Sequence, residues 1–305
     1  MAALSPPLAR RFPRARKFLR WSPAYPFILP YVLFLLAFGV GPAIYAGVIS
    51  LLNETAPTQT FSGLTNYQHV FSDLRFGPAL TNVLAYLAIW LPTTIVSVTT
   101  VALLLHAHMG RFSAAMRLIY YVPSAITGSA SVLMWLFMID PLVSPFSPLL
   151  KLFGLKTLVD VLVPSKLPLD LAVIAFFNTF GFWVVVLYGA LVNISREVLE
   201  AATIDGCNPW QSSLYIKLPL VARYLIFMLI LTFASGFQLF TEPQILGAVA
   251  ASGVGTAWSL NQLAYSIAFN TGDFGASAAL SMCMLLVGLL ICVLVIAKTD
   301  FYRID

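Results

Sequence analysis

The chain has 305 residues, 60% of them hydrophobic and only 10% charged, with a mean hydropathy of +0.89 and a formal charge of +5. Soluble domains carry about a quarter charged residues, so this balance excludes an ordinary soluble domain and indicates a membrane protein. The basic residues sit at the ends of apolar runs and do not gather into a patch, which excludes a nucleic-acid footprint. Cys207, Cys283 and Cys292 are scattered, with neither a disulfide framework nor metal-ligand spacing, and read as small apolar fillers.

Residues 1–24 form a basic tail that carries Arg10, Arg11, Arg14, Arg16, Lys17 and Arg20 and no acid. Phe27 to Leu52 follows without a charge, too long for a signal-peptide core and long enough to cross about 30 Å of hydrocarbon. Arg10-Arg11 hints at a twin-arginine signal, but the length of that run argues against one. Residues 53–77 read as a polar loop, and the second span is expected from Pro78 to Leu105. His106, His108, Arg111 and Arg117 make a short basic loop before a third span from Leu118 to Ile139. Pro141, Pro145, Pro148 and Pro164 exclude a long straight helix over 140–167, where a short helix at the membrane surface fits the apolar spacing. The fourth span runs from Leu169 to Val192, the fifth from Leu220 to Leu246 and the sixth from Phe274 to Ala297. Between the last two, a Gly-, Ser- and Asn-rich segment over 247–273 holds WSLNQLAYSIAF, which suits a small outer helix. The reading is an all-α membrane protein of six transmembrane helices, with 1–24 as a tail and 25–305 as a single six-span domain.

Charge sets the orientation. With both termini inside, the inner segments hold the six basic residues of the tail, then Arg111, Arg117, Arg196, Lys217, Arg223, Lys298 and Arg303. The outer loops hold only Arg75, Lys151, Lys156 and Lys166. By the positive-inside rule both termini, and the segment between the fourth and fifth spans, lie in the cytoplasm of a cell whose plasma membrane the chain crosses.

That segment, Ser195 to Pro219, is the longest strongly polar insert in the second half of the chain, and it reads as structured. Ser195 can cap a helix with Glu197 in its first turn, and Glu200, Ala201 and Ala202 are good helix formers. Gly206 stands where a left-handed residue would end that helix. Asn208-Pro209-Trp210-Gln211 then starts another, with Asn as N-cap, Pro at the first position and Gln reaching back.

The spacing Glu200-Ala201-Ala202, Gly206, then Ile216, Leu218 and Pro219 resembles the EAA loop of permease subunits of binding-protein-dependent ABC importers, in the sugar-permease branch that includes the maltose permease subunits. Cys207 and Leu214 stand where that family more often has Ala and Phe. Gly63, Leu64, Asn66 and Tyr67, the segment from Arg117 to Pro123, and Asp273-Phe274-Gly275 are similar to further family segments. The resemblance implies the type I ABC importer permease fold, in which the loop is a coupling helix docked in a cleft of the ATPase. It implies that role for Glu200, Ala201, Ala202, Asp205, Gly206, Ile216, Leu218 and Pro219. It also implies a second permease subunit, two ATPase subunits that bind the ATP and Mg, and an extracytoplasmic solute-binding protein.

The chain itself has no phosphate-binding Gly-x-x-x-x-Gly-Lys-Ser/Thr loop, so no ATP site, cofactor or catalytic residue is expected in it. His106 and His108 lack the i, i+4 spacing of a helical metal pair and read as interfacial polar residues; no metal site is expected. Polar groups inside spans tend to face the bundle interior. Asn178 and Trp183 in the fourth span, and Gln238 and Glu242 in the fifth, are candidates for a substrate pathway. Interhelical hydrogen bonding is the alternative for Asn178 and Gln238, simple solvation for Glu242. From Leu169 to Ala297 every basic residue lies near the cytoplasmic side, which favours a sugar or neutral polyol over an anion. Trp183 or Tyr265 could stack on a sugar. A permease for another solute, such as a glycerophosphate ester, stays open. A secondary transporter would need midplane ionisable pairs or inverted repeats, and neither is visible.

Overall fold

The structure is a computed structural model that describes residues 25–53, 60–126, 128–249, 255 and 257–299. The basic tail over 1–24 and the last residues, Arg303 among them, lie outside the described residues. Residues up to Tyr45 form one unit and residues from Ala46 onward another.

Helix α1 (Tyr25–Phe34), a π-helical stretch over Leu35–Val40 and α2 (Gly41–Ile49) run on from one another. Together they give an apolar span over Pro26–Ile49 with no buried residue. The wide turn precedes Pro42, which has no N–H to return to the Phe38 carbonyl.

The second unit holds the packed bundle. Helix α3 (Thr65–Ser72) leads into α4 (Phe76–Ala107), then α5 (Arg111–Ala125) and α6 (Gly128–Ile139). Two short helices follow, α7 (Ser147–Leu152) and α8 (Leu158–Val161), then α9 (Leu167–Val192). The polar insert contains α10 (Arg196–Ile204), α11 (Pro209–Gln211), a π-helical stretch over Ser212–Lys217 and α12 (Leu218–Leu220). Last come α13 (Ala222–Phe237), α14 (Thr241–Val249), α15 (Leu260–Asn270) and α16 (Phe274–Lys298). Among the described residues five helical stretches are long and apolar enough to cross a membrane, and α5 with α6 makes a sixth when counted as one bent span.

Helices α4 and α9 form the spine. Ala79, Val83, Tyr86, Trp90, Thr94, Val98, Ala102 and Leu105 are buried at helical spacing down one face of α4. One half of the core joins Tyr86, Leu87 and Trp90 to Leu171 and Ile174 of α9, and to residues of α13, α15 and α16. The other half joins Val98 and Ala102 to Val184, Leu187 and Leu191, with Met228. The outward faces are equally apolar, as Leu84, Val96 and Leu104 are, because lipid is their solvent. Hydrophobicity alone therefore cannot hold the helices together. Close packing and interhelical hydrogen bonds must do so, and two glycines mark where the approach is closest. A Cβ at Gly181 of α9 would fall on the Tyr120 carbonyl of α5 and 2.8 Å from the Tyr121 Cα. A Cβ at Gly236 of α13 would lie 2.5 Å from the Trp90 ring and 2.8 Å from Leu87.

Two expectations are corrected and one is refined. The third span is not one helix from Leu118 to Ile139. It begins at Arg111 and bends by 103° between α5 and α6. Pro123 removes a backbone donor in the last turn of α5, and Gly128 at φ +64 takes a left-handed conformation that other residues resist. The fifth span is present as one apolar stretch, Ala222–Val249, though its helix is interrupted at Gln238–Phe240 between α13 and α14. Residues 53–77 are not a loop throughout, because α3 folds there. The Asn66 side-chain amide is buried and donates to the carbonyls of Ser50 (2.9 Å) and Leu52 (2.8 Å). Gly275, just inside α16, has no room for a Cβ beside that amide. Two of the family-like segments thus meet each other. Beside them Asp73 and Arg75 pair at 2.7 Å, and hydrogen bonding to the guanidinium holds the Asp73 carboxyl below the usual carboxylate range. Asn66→Ala removes the bonds to the Ser50 and Leu52 carbonyls, the first of them buried, and is expected to lower stability by about 2 kcal/mol, read as a lower unfolding temperature in detergent; an unchanged temperature would remove this role.

The small outer helix expected in WSLNQLAYSIAF exists as α15, and its Leu260, Leu263, Ala264 and Ile267 are buried in the core.

Candidate functional site

Two places carry chemistry beyond packing. The first is the polar insert. Helix α9 ends at Val192, and α10 starts after Ser195, whose backbone is extended (φ −62°, ψ 141°) as an N-cap's should be; its side chain makes no capping hydrogen bond, unlike the expectation. At the other end Gly206 adopts φ +83. Its N–H donates to Thr203 at 3.1 Å, and the next N–H, of Cys207, donates to Ala202 at 3.0 Å. These two bonds satisfy carbonyls that the end of a helix leaves open. Asn208 and Gln211 then exchange hydrogen bonds of 2.8 and 2.9 Å, so α11 starts in the box its sequence specifies.

The result is a reversal of direction held almost wholly by local bonds. Glu200, Ala201, Asp205, Gly206 and Pro219 are exposed on it, while Ala202 is buried where α10 packs on the π-helical stretch; Ile216 and Leu218 are half-buried. Lys217 is buried, and burial pushes its ammonium below the usual lysine range. The insert also exposes Ile204 (86%), Trp210 (66%) and Tyr215 (74%), residues absent from the predicted set. Large apolar side chains exposed on an otherwise polar unit are unusual at a water-facing surface. Their apolar character on a charged insert was the signal that could have singled them out.

The insert leans on the bundle. Thr99, Leu103, Leu104, Ala107 and His108 of α4 face Pro209, Trp210, Ser213, Leu214 and Leu218 across a groove of about 300 Å³. Nearby the Arg117 guanidinium lies 3.8 Å above the Tyr188 ring, the edge of His106 meets the same ring, and Ser113 donates to the Leu105 carbonyl at 3.0 Å. These contacts tie the corner between α4 and α5 to the last turn of α9, from which the insert departs. His106 is thus a packed ring, and His108 lies exposed with its Nδ1 3.3 Å from the Leu104 carbonyl. No cluster that could hold a metal occurs among the described residues.

The second place is a polar cavity of about 160 Å³ in the bundle. Its floor is the break between α13 and α14. Breaking a helix frees backbone carbonyls that lipid cannot satisfy, and the start of α15 satisfies them. Asn261 donates to the Gln238 carbonyl at 2.7 Å, and Ser259 donates to the Leu239 carbonyl at 2.7 Å. Gln262 adds a bond to the Gln244 side chain at 3.0 Å. The break turns Gln238, Thr241 and Glu242 into the cavity, opposite Asn178 and Thr179 of α9, with Tyr86 and Trp90 of α4 as a further wall.

Three of the four pathway candidates therefore meet here, Asn178, Gln238 and Glu242. The fourth, Trp183, does not. It is buried in the other half of the core, edge-on to Phe182 and Phe227. Tyr265 packs on Phe240, a wall residue, and not in the cavity itself. Asn178 makes the interhelical hydrogen bonds expected as its alternative role, and it also borders the cavity. Its carbonyl oxygen accepts from Ser131 (2.8 Å) and from the Trp135 indole (3.0 Å), both on α6, while the residue still lines the cavity. Tyr86 and Trp90, stacked with ring centres 5.3 Å apart, went unnoticed in the sequence, where aromatics four residues apart look like any core pair.

Comparison with known proteins adds the following. A family model described as a binding-protein-dependent transport system inner membrane component matches residues 99–298. The probable ABC transporter permease protein YurN of Bacillus subtilis is 27% identical over 87% of this chain and 91% of its own length. The arabinooligosaccharides transport system permease protein AraP of Halalkalibacterium halodurans is 24% identical over 96% of this chain and 92% of its own. In fold, the chain resembles one from the crystal structure of a bacterial alginate ABC transporter in complex with an alginate pentasaccharide-bound periplasmic protein. That match has a TM-score of 0.75 at 19% identity and covers 89% of this chain and 91% of the other.

Proposed function

Because the chain belongs to the family of binding-protein-dependent transport system inner membrane components, we propose that it is one of the membrane-spanning subunits of an ATP-driven sugar importer, worked through Ser195–Pro219. A second permease subunit, separate ATPase subunits and an extracytoplasmic solute-binding protein complete the assembly. ATP and Mg bind to the ATPase subunits, and this chain supplies the route and the lever. Both termini and the insert face the cytoplasm, a reading supported by the basic residues that gather on that side. A sugar or neutral polyol as solute is supported by the arabinooligosaccharide relative and by a cavity lined with amide, hydroxyl and aromatic groups.

The observation that carries the proposal is the insert itself, a locally bonded helix-turn-helix that exposes Ile204, Trp210 and Tyr215 as well as Glu200 and Asp205. ATP binding shifts the bundle between two states only if the ATPase contacts the insert differently in each. The groove toward α4 and the tie to α9 are where such a push would enter the spine.

Ile204→Asp replaces the most exposed of these three apolar side chains with a charge. It is expected to weaken ATPase binding by about 2 kcal/mol, or about thirtyfold in affinity, read as loss of ATPase subunits from material purified through a tag on this chain. Retention of the full ATPase complement would count against the insert as the docking surface. Ion-driven uptake by the purified chain alone would favour a secondary transporter instead.

A further inference from the structure

We infer that Glu242 is a charge filter for the solute: the cavity takes uncharged polyhydroxylated molecules and turns acids away. This rests on the reading of the cavity as the solute route and adds to it the residue that sets the charge class.

The two walls of the cavity differ in the hydrogen-bonding capacity they have left to offer. The oxygen of Asn178 is already engaged by Ser131 and Trp135, so its remaining hydrogen-bonding capacity is its pair of N–H donors. Helix α6 therefore fixes which end of that amide is spent. Across the cavity Glu242 brings a group that, as a carboxylate, only accepts. A sugar hydroxyl both accepts and donates, so it can take a bond from Asn178 and give one to Glu242. A carboxylate or phosphate can only accept; it suits Asn178 and is opposed by Glu242.

Among the described residues, no cation lies where it could offset that opposition. No Arg, Lys or His lines the cavity, and Glu242 takes part in no ion pair among the described residues. In sequence, too, the basic residues between Leu169 and Ala297 are Arg196, Lys217 and Arg223, all at the far end of their spans. With an effective dielectric of about 20 and a separation of about 6 Å, the repulsion of a second negative charge corresponds to about a hundredfold loss of occupancy. Water in the cavity reduces this to roughly tenfold, still enough to sort solutes. The acidic polysaccharide alginate, carried by the transporter of similar fold, is a solute that such a cavity would refuse.

The test measures the field at the site and needs no identified solute. Cys207, Cys283 and Cys292 are replaced by Ala, and Ser235→Cys puts one thiol on the cavity wall, in the assembled importer in native membranes. Rates of modification by a cationic (trimethylammonium-ethyl) and an anionic (sulfonatoethyl) thiosulfonate are compared with their rates on free cysteine. The cationic reagent is expected to be favoured by about tenfold over its free-thiol ratio, and Glu242→Gln, which keeps shape and an acceptor, to return the ratio to the free-thiol value. A ratio that Glu242→Gln leaves unchanged, or one already at the free-thiol value, overturns the filter, a cation from the partner permease being one way to reach that result. The route is tested separately on the same Ser235→Cys protein. Uptake of maltose or arabinooligosaccharide, whichever the unmodified importer carries, is expected to stop once the introduced thiol is modified. Full uptake after complete modification would remove the route reading while leaving the measured field as found.

Discussion

Gly206→Pro is expected to abolish ATP-driven uptake while the chain still inserts in the membrane in normal amount. Gly206 sits at φ +83 and donates its N–H to Thr203 at 3.1 Å. Proline fixes φ near −65° and has no N–H, so both the turn and its bond are lost, and α11 can no longer be aimed back against α4. Insertion is spared because the insert lies outside every apolar span. Gly206→Ala is the informative partner. A Cβ there meets nothing within 4 Å, so its whole effect is left-handed strain of about 1 kcal/mol, predicting a several-fold loss at most. Glu200→Lys tests the other half of the claim. Glu200 is exposed and has no hydrogen bond or ion pair among the described residues, so reversing its charge disturbs this chain little and reports on its partner. Uptake in proteoliposomes with the full complement of subunits decides the matter: normal rates in Gly206→Pro and Glu200→Lys would end the lever as a mechanism.

The second large effect is structural. Gly181→Ala is expected to destabilise the bundle by about 3 kcal/mol or more, seen as aggregation or a collapsed yield on size exclusion in detergent. The added methyl would occupy the Tyr120 carbonyl, and backbone cannot step aside as a side chain can. Helices α5 and α9 must separate there, which also pulls apart the Phe182 N–H and the Ser124 hydroxyl, 3.2 Å from each other. Two controls make the result specific. Gly189, on the same helix, has nothing within 4 Å, so Gly189→Ala should be neutral or slightly stabilising through helix propensity. Gly236→Ala clashes with the side chains of Trp90 and Leu87, so Trp90→Leu should rescue it in part, whereas no single side-chain replacement rescues Gly181→Ala. Equal stability of Gly181→Ala and Gly189→Ala would show that α5 and α9 are farther apart than the structure has them.

These two glycines also divide what could be read in advance from what could not. Gly206 was legible. The signals that stop α10 and start α11 reach only a few residues along the chain, and the side chains of Asn208 and Gln211 bond across three positions. The helical spans were legible for an equally simple reason: a bilayer leaves a backbone no water to bond, so uncharged runs long enough to cross it become helices. Even so, local reading failed where a span is interrupted. Neither the bend after Pro123 nor the interruption at Gln238 shows in the sequence, because apolar runs do not reveal whether a neighbour will satisfy freed carbonyls. At Gln238 the answer came from Asn261 and Ser259, some twenty residues away.

The amino-acid sequence by itself therefore determined the membrane class, the helical runs and the capped reversal at Ser195–Pro219, since each depends on contacts within a few residues or on the solvent a segment must face. Only the tertiary structure decided that Asn178, Gln238 and Glu242 share one cavity while Trp183 packs in the other half of the core, and that Gly181 and Gly236 are where helices nearly touch. In lipid, a span that is apolar on every side carries no stripe to say which face turns inward. That choice is made by fit between helices, and fit exists only once they are assembled.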